Sequence, residues 1–308
     1  MSDRFNDLTL FVRVAETGSF SRAGRELGYA QPTVSRMIGA LEARLGVKLL
    51  TRTTRQVVPT EAGALLLDRA RSVLVEIEDV ENAVRGSDGL SGVLRVATPV
   101  TFGAREIAPR LGPFLEAHPG LRVELLMADR RVDLLDEGVD LAIRLGPLDD
   151  SSFVSRRIAT APRYIVASPS YLAQRAAPVT IADLQAHDII SGRSPGNDIW
   201  TLRDKAGGET SVKLEARLVA TSTEGLLAAA MAGFGLAMTS AFACRMELAR
   251  GDLVRVLPDF ALPPIDVHTV SPLGRKPPAK ARLFMEHLAN ALRAYSAAVQ
   301  SGGVVAQA

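Results

Sequence analysis

The sequence is poor in cysteine: Cys244 is the only one among 308 residues. A single thiol excludes an intrachain disulfide and a zinc site built from cysteines. The four histidines lack the spacing of metal ligands, so we expect neither a metal nor another cofactor. The chain also lacks a nucleophile motif, a phosphate-binding loop and a catalytic carboxylate pair, which argues against an enzyme.

Long apolar runs are absent as well. No segment approaches the roughly 18 apolar residues that a membrane span requires, so we expect no membrane partner. Residues 1–7 lack a basic stretch leading into an apolar run, which argues against a signal peptide and predicts a cytoplasmic protein. The length and the 47% share of hydrophobic residues are typical of a globular protein with two or three domains.

The net charge of +2 is small, but the charges are unevenly distributed along the chain. Residues 22–55 contain seven basic and two acidic side chains, a local charge of +5, whereas residues 61–88 contain three basic and seven acidic ones, a local charge of −4. A basic segment followed by an acidic one indicates that the first faces a polyanion and the second does not. Ordinary solvated faces are the alternative explanation of the same pattern.

The first sixty residues have the pattern of a helical domain. Apolar residues at helical spacing predict a first helix over residues 4–17. A short second helix over residues 22–27 follows, with Ser19 or Ser21 as its N-cap and Gly28 as its terminator.

A third helix is predicted from about residue 31, where Pro32 suits a first helical turn. Two short helices joined by a turn with glycine, the second exposing polar residues, are typical of a helix-turn-helix. In such a domain the recognition helix enters the major groove, where Gln31 can bond adenine and Arg36 guanine or phosphate. A generic amphipathic three-helix domain is the alternative. The buried stripe of the third helix is expected to be Val34, Ile38, Leu41 and Leu45.

A β-hairpin wing is predicted next. Residues 47–50 and 56–58 are expected to form strands on either side of a loop rich in threonine and arginine, over residues 51–55. Arginines in such a wing can reach backbone phosphate or a minor groove.

The same region resembles the N-terminal signature of LysR-type transcriptional regulators. The likeness is carried by FVRVAETGSF at residues 11–20, QPTVS at 31–35 and LLTR at 49–52, with Ala23, Leu27, Ile38, Leu41, Glu42, Leu45 and Gly46 at matching spacings. Ala30 stands where many members have a capping serine, and Leu50 where many have phenylalanine. The resemblance implies sequence-specific binding of double-stranded DNA. The predicted DNA-binding residues are Ser19, Ser21, Gln31, Pro32, Thr33, Ser35, Arg36, Arg52, Thr53, Thr54 and Arg55.

A long linker helix is predicted over residues 61–88, with Thr60 as its cap and Glu61 against its positive N-terminal dipole. Apolar residues alternate there at spacings of four and three, which is typical of a heptad seam. A symmetric dimer would cover this seam, and the resemblance implies the same role; packing on the chain's own domain is the alternative. The predicted dimerisation residues are Leu66, Ala70, Val73, Ile77, Val80 and Val84.

From residue 92 short apolar runs alternate with helical segments, which predicts an α/β domain with a parallel sheet. Strands are expected at residues 93–97, 121–127, 140–144, 164–167, 217–220, 236–238 and 266–270. Helices are expected at residues 103–118, 132–137, from about 170, 224–232 and 279–298. Cys244 is expected to be a small buried residue in an apolar helix, and residues 301–308 a disordered tail.

Two strand-to-helix junctions carry hydroxyl groups, at residues 98–103 and 221–224. Free amides, hydroxyls and the helix dipole together make a site for a carboxylate or similar anion, at the strand ends where ligands bind in open α/β sheets. Plain N-capping is the alternative for either junction.

The resemblance to LysR-type regulators extends over this part, at residues 94–103, 113–119, 134–146 and 229–236. It implies an effector-binding domain similar to periplasmic solute-binding proteins, with two α/β lobes and a cleft between them. The fold class is then multidomain: an all-α winged helix-turn-helix at 1–60, the linker helix at 61–88 and the two-lobed domain at 89–300. Lobe 1 is expected to comprise residues 89–162 and 267–300, and lobe 2 residues 163–266. The predicted effector-binding residues are Thr98, Pro99, Val100, Thr101, Arg144, Gly146, Thr221, Ser222, Thr223 and His268.

We therefore predict a DNA-binding transcriptional regulator of the LysR type, controlled by a small anionic metabolite bound between the lobes. The resemblance implies a homodimer or tetramer and contact with RNA polymerase. The alternative is a solute-binding or storage module whose N-terminal segment serves only for oligomerisation. The charge distribution and the lack of an export signal argue against that alternative.

Overall fold

The computed structural model describes residues 4–52, 57–85, 90–130, 134, 138–148, 154–193, 198–271 and 277–300. They form an N-terminal helical domain with a short hairpin, a long helix and two α/β lobes. None of the helices in these ranges is both long and apolar enough to cross a membrane. The predicted tail and the predicted helix at 132–137 lie outside the described residues, apart from Leu134.

The N-terminal domain confirms the three predicted helices. Their bounds are α1 (Arg4–Thr17), α2 (Phe20–Leu27) and α3 (Gln31–Leu45). The hydroxyl of Ser19 accepts a hydrogen bond from the amide of Arg22 at 3.3 Å, and Gly28 ends α2 in the left-handed conformation at φ 76°. Val34, Ile38 and Leu41 are buried as expected. Leu45, predicted to be buried with them, is 44% exposed, because it lies in the last turn of α3.

The hairpin is formed by strands β1 (Leu50–Arg52) and β2 (Val57–Pro59). The first strand was predicted at residues 47–50, which is wrong except for Leu50. The reason is Glu42, which is 8% exposed. Its carboxylate accepts hydrogen bonds from the amides of Leu49 at 2.9 Å and Leu50 at 3.3 Å. These amides therefore bond to a side chain of α3, and pairing with β2 begins only at Leu50.

Helix α4 (Glu61–Arg85) begins against the N-terminal domain. The hydroxyl of Thr60 accepts from the amide of Gly63 at 3.0 Å, which confirms the predicted cap. Ala70 is 2% exposed within the core of the domain, and Leu66 packs on that core. The assignment of Ala70 to a dimer seam is therefore wrong, because its surface is already covered by its own chain.

Lobe 1 is a five-stranded sheet in the order β4-β3-β5-β14-β6. Its strands are β3 (Ser91–Thr98), β4 (Gly120–Met127), β5 (Leu141–Leu145), β6 (Val154–Ala161) and β14 (Ile265–Ser271). Strand β3 runs parallel to β4 and β5, whereas β14 is antiparallel to β5 and β6. Helices α5 (Val100–Phe102), α6 (Leu111–Ala117) and α10 (Ala279–Gln300) belong to this lobe.

Lobe 2 is a second five-stranded sheet in the order β11-β8-β12-β7-β13. Its strands are β7 (Arg163–Ala167), β8 (Ile189–Gly192), β11 (Ala216–Ala220), β12 (Leu236–Ser240) and β13 (Val254–Val256), with a separate hairpin of β9 (Ile199–Arg203) and β10 (Glu209–Lys213). Its helices are α7 (Pro169–Gln174), α8 (Thr223–Met231) and α9 (Ala241–Arg250). Cys244 is buried in α9, as predicted.

Three expectations for the lobes need correction. The sheets are mixed rather than parallel, because the chain enters lobe 2 directly from β6 into β7 and returns along β14 in the opposite sense. The second lobe boundary lies before Ile265, since Ile265 and Asp266 already pair with β6. The predicted helix at 103–118 starts earlier, at Val100, and is interrupted by a π-helical turn (Gly103–Ile107) and a 3-10 turn (Ala108–Arg110).

Candidate DNA-binding and effector sites

The first turns of α3 present polar side chains to solvent. Gln31, Pro32 and Arg36 are exposed, and Thr33 and Ser35 are half-buried. These five predicted residues share one end of one helix, as a groove-reading surface requires.

Helix α2 lies beside this surface. The hydroxyl oxygen of Ser19 is used as the cap of α2, while Ser21 is exposed. Arg22 is 59% exposed at its side chain, and Arg25 is exposed as well. Both add positive charge that sequence reasoning counted but did not assign to a contact.

The predicted wing contacts are only partly located. Arg52 ends β1, while Thr53, Thr54 and Arg55 lie outside the described residues. Their contacts with DNA stay predictions.

A cavity of about 600 Å³ lies between the two lobes. Phe102, Trp200 and Phe242 contribute apolar walls, and hydroxyl-bearing residues line it from both lobes. Six of the ten predicted effector residues line this cavity: Pro99, Thr101, Gly146, Thr221, Ser222 and Thr223.

Four predicted effector residues do not line the cavity: Thr98, Val100, Arg144 and His268. Thr98 is 2% exposed, and its methyl group packs against Gly103. A Cβ at position 103 would lie only 2.6 Å from that methyl group. Arg144 and His268 are cross-strand partners. Because side chains alternate along a strand, Arg144 points away from the face that Leu145 offers to the cavity.

Several lining residues were missed by sequence reasoning. Arg163 opens β7, Ser191 and Gly192 end β8, and Thr239 and Ser240 end β12. Strand β8 was not predicted at all, so its carboxyl end gave no signal. For β12 the signal was available, since ligands bind at the carboxyl ends of strands in open α/β sheets.

The two junctions differ in how their helix ends are capped. Asp129, after the end of β4, accepts a hydrogen bond from the amide of Val100 at 3.1 Å, so the chain's own carboxylate occupies the start of α5. At the second junction the hydroxyl of Ser222 accepts from the amide of Gly225 at 3.1 Å. Local N-capping is therefore present only at the second junction, since Pro99 before α5 makes no side-chain cap. Both junctions carry a carboxylate, but Glu224 in the first turn of α8 is paired with Arg105 at 3.0 Å.

In the described part of the cavity, one hydroxyl lacks a hydrogen-bond partner and one guanidinium lacks a counter-charge. Thr101 is 4% exposed, and its hydroxyl has no hydrogen-bond partner among the described residues. Arg163 donates from Nε to the carbonyl oxygen of Pro263 at 2.7 Å, and no carboxylate within the described ranges forms an ion pair with it. Burial lowers the pKa of Arg163. A half-buried guanidinium without a counter-charge favours an anion in the cavity.

Comparison with known proteins identifies both parts of the chain. A family of bacterial regulatory helix-turn-helix proteins, the lysR family, matches residues 5–64, and the LysR substrate binding domain matches residues 87–293. The chain belongs to the LysR family of transcriptional regulators. It is therefore a DNA-binding regulator with an effector-binding domain rather than an enzyme or a storage module.

Relatives of this LysR-type chain match over nearly their whole length. An uncharacterised helix-turn-helix transcriptional regulator of Haemophilus influenzae is 33% identical over 90% of this chain and 97% of its own. The structure of CrgA, a LysR-type regulator from Neisseria meningitidis, has 31% identity and a TM-score of 0.57 over 94% of this chain and 98% of its own. The Vibrio cholerae virulence activator AphB has 28% identity and a TM-score of 0.57 over 92% and 98%. The domain order predicted from sequence is that of the family.

Proposed function

We propose that this LysR-type regulator is controlled by a small anionic metabolite bound in the cavity between the lobes. The observation that carries the proposal is Arg163, a half-buried cation in the cavity wall with no carboxylate partner among the described residues. Its charge is costly to bury alone, and a ligand anion would offset that cost. The unpartnered hydroxyl of Thr101 offers one further hydrogen bond to the same ligand.

The anionic group belongs at the wall of lobe 2. Asp129 gives the other wall a negative charge at the start of α5, which repels a carboxylate there. On the side of lobe 2, Thr221 and Thr223 flank the N-terminus of α8, whose dipole favours negative charge. The carboxylate of Glu224 in the first turn of α8 is paired with Arg105 at 3.0 Å, so its charge is balanced there. Thr101 and Asp129 are then left to bind a hydroxyl or amino group of the ligand.

The regulator is proposed to act in the cytoplasm as a homodimer or tetramer that holds two recognition helices on a palindromic site. After the N-terminal turns, α4 carries apolar side chains that its own chain leaves uncovered. Val73, Val80 and Val84 are 44%, 64% and 84% exposed. Such a stripe on an acidic helix suits a second copy of the same helix. Contact with RNA polymerase, implied by the family resemblance, stays a prediction.

A ligand panel tests the charge of the effector. The full chain is incubated with small mono- and dicarboxylates and with the neutral amides of the same acids, and its melting temperature is measured, since a ligand of the folded state raises it. We expect acids to stabilise the parent and to lose that effect in Arg163→Gln. The control is Arg203→Gln, because Arg203 pairs with Glu209 on the surface of the same lobe. An amide that stabilises the parent as well as its acid does would contradict an anionic effector.

Fluorescence anisotropy tests the DNA-binding surface. The full chain is titrated onto the DNA upstream of its own gene at several salt concentrations, and binding should weaken as salt rises. Arg36→Ala should cost roughly 1–3 kcal/mol of binding free energy if the side chain contacts a base. Arg217→Ala serves as the control, because Arg217 is exposed on lobe 2 and pairs with Asp188. Equal binding by Arg36→Ala and the parent would make the recognition-helix assignment wrong.

A further inference from the structure

A group of six charged side chains bridges the lobes next to the cavity. Three belong to lobe 1, in and just after the π-helical turn, and three to helices α8 and α9 of lobe 2. Their formal charges are three positive and three negative, although burial raises the pKa of Glu106. We call it the interlobe clamp, and its members are Arg105, Glu106, Arg110, Glu224, Arg245 and Glu247.

Arg105 is the centre of the clamp. Its Nε and Nη2 donate to the two carboxylate oxygens of Glu224 at 3.1 and 3.0 Å, and its Nη1 donates to both oxygens of Glu247 at 2.8 Å. Nη1 also donates to the carbonyl oxygen of Ala243. All three guanidinium nitrogens of a lobe 1 residue are thus bonded to lobe 2. Burial alone would lower the pKa of Arg105, but these bonds outweigh it and the pKa is raised.

An arginine of lobe 2 makes the reciprocal contact with lobe 1. Arg245 donates from Nη2 to the carbonyl oxygen of Arg105 at 2.9 Å and lies 3.3 Å from Glu106, which is fully buried. Arg110 lies 3.0 Å from the second oxygen of Glu106 as an ion pair, and neither carboxylate oxygen has a hydrogen-bond partner among the described residues. Each lobe therefore inserts an arginine into the other, and such reciprocal bonds fix the orientation as well as the distance of the two partners.

The clamp is continuous with both cavity walls. Arg105 follows Thr101, which lines the cavity, by a little more than one helical turn. Glu224 comes directly after Thr223, which lines it from the other side. Beside the clamp, the rings of Phe102 and Phe242 meet edge to face with their centroids 5.5 Å apart. π-helical turns are often found at functional positions, and this one turns Arg105 toward lobe 2.

From this geometry we propose that Arg105 is a positioning residue that sets the width of the cavity before the effector binds. Arg105 connects the start of α8 to the turn that follows Thr101. Its bonds to Glu224 and Glu247 therefore couple the movements of the two cavity walls. Loss of Arg105 opens the cavity in the absence of effector. The inference rests on the proposed function in one respect, that the cavity is the effector site.

The chain contains its own reporter of cavity opening. Trp200 is the only tryptophan in the sequence, lines the cavity and is 1% exposed. Trp200 also packs on the core of lobe 2, so quenching of its fluorescence by acrylamide in the full chain, without DNA or ligand, measures how readily solvent reaches this wall of the cavity. Loss of a hydrogen bond between charged groups should raise the open population on the order of tenfold.

Three variants and a matched control make the test. Arg105→Met alone leaves the carboxylate of Glu247 buried and unpaired, which can unfold the lobe. The double variant Arg105→Met with Glu247→Gln removes that charge, and Glu224→Gln weakens the clamp at its half-exposed partner. The control Arg122→Met changes an arginine of lobe 1 that is 77% exposed. Circular dichroism establishes which variants are folded.

We expect quenching to rise strongly in the double variant, moderately in Glu224→Gln and not in Arg122→Met. If Arg105→Met is also folded, the double variant should show no more quenching than Arg105→Met does. The reason is that Arg105 and Glu247 act through the ion pair that they form with each other. A role in stability alone would lower the melting temperature and leave quenching unchanged. Parental quenching in the folded double variant, or an equal rise in the control, would overturn the proposal. Since neither DNA nor ligand is present, that outcome is separate from a failure to bind DNA or acids.

Discussion

The position of the wing relative to the recognition helix depends on one buried carboxylate, and this can be tested at Glu42. In Glu42→Leu the amides of Leu49 and Leu50 lose their acceptor. Leu49 is 1% exposed and Leu50 8%, so water cannot replace it. A buried donor left without a partner costs about 1–3 kcal/mol, so two should cost about 2–6 kcal/mol.

Glu42→Gln separates the charge from the hydrogen bonds. The amide oxygen of glutamine still accepts, but a neutral acceptor contributes about 1 kcal/mol less per bond than a charged one, which predicts a loss of roughly 2 kcal/mol. Lys48→Met is the matched control. Lys48 is 79% exposed and lies 2.6 Å from Glu42, so its loss should cost at most about 1 kcal/mol.

Scanning calorimetry of the full chain measures these losses, with the transition of the N-terminal domain assigned by circular dichroism because a multidomain chain need not unfold in one step. The expected order of destabilisation is Glu42→Leu, then Glu42→Gln, then Lys48→Met. If Glu42→Leu were no more destabilising than Lys48→Met, bonding to the amides could not be what holds the wing.

The same residue predicts a pH dependence. Burial would raise the pKa of Glu42, but the bonds from Lys48, Leu49 and Leu50 outweigh it, so the folded pKa is lowered. Its contribution to stability is therefore complete above the pKa of an unfolded glutamate and is lost as pH falls through the lower folded value. In the Glu42→Gln variant this part of the acid sensitivity should be absent.

Three further predictions follow from burial and close contacts. Gly63→Ala should destabilise the N-terminal domain, because a Cβ there would lie 1.9 Å from the carbonyl oxygen of Leu49. Gly39→Ala has open space around it and should be neutral or stabilising in a thermal melt. Equal effects of the two substitutions would contradict this. Val80→Asp, at a position 64% exposed, should shift the chain to a smaller species in size-exclusion chromatography, and an unchanged elution volume would remove Val80 from the interface. Burial, and then the charge of Glu247, raise the pKa of the Cys244 thiol to about 12, so iodoacetamide should modify it at pH 8 only after unfolding in urea; rapid reaction of the folded chain would be inconsistent with its burial.

The helices of the N-terminal domain could be predicted closely because their signals are local. Ser19 at the N-cap and Gly28 at the C-terminus mark the ends of α2, and apolar spacing marks the buried face of α3. The hairpin could not be placed as well, because its start depends on Glu42, seven residues away from Leu49. A carboxylate in the middle of a helical pattern gives no sign in the sequence that it will bond backbone amides beyond the helix.

The lobes show the same limit on a larger scale. Parallel strands followed by helices were recognisable, but the direction of β14 is set by the return of the chain from lobe 2. Strand β6 carries Arg156 and Arg157 and was not recognised, although it pairs with β14 along its whole length. Hydrophobic periodicity predicts a strand and its buried face, whereas the order and direction of strands depend on contacts far apart in sequence.

The cavity shows why the charge of a ligand must be inferred from both walls. The hydroxyls at residues 98–103 and 221–224 predicted two equivalent anion sites, because both open a helix at the end of a strand. The two sites differ in how their carboxylates are used: Asp129 accepts from the amide of Val100 at the first site, whereas Glu224 at the second is paired with Arg105. Arg163, whose importance no local pattern indicated, supplies a positive charge to the same cavity. If the proposed function holds, a ligand that satisfies both walls would carry its anion toward Arg163 and a hydrogen-bond donor toward Asp129, so we expect hydroxy or amino acids to bind better than acids with two equivalent ends.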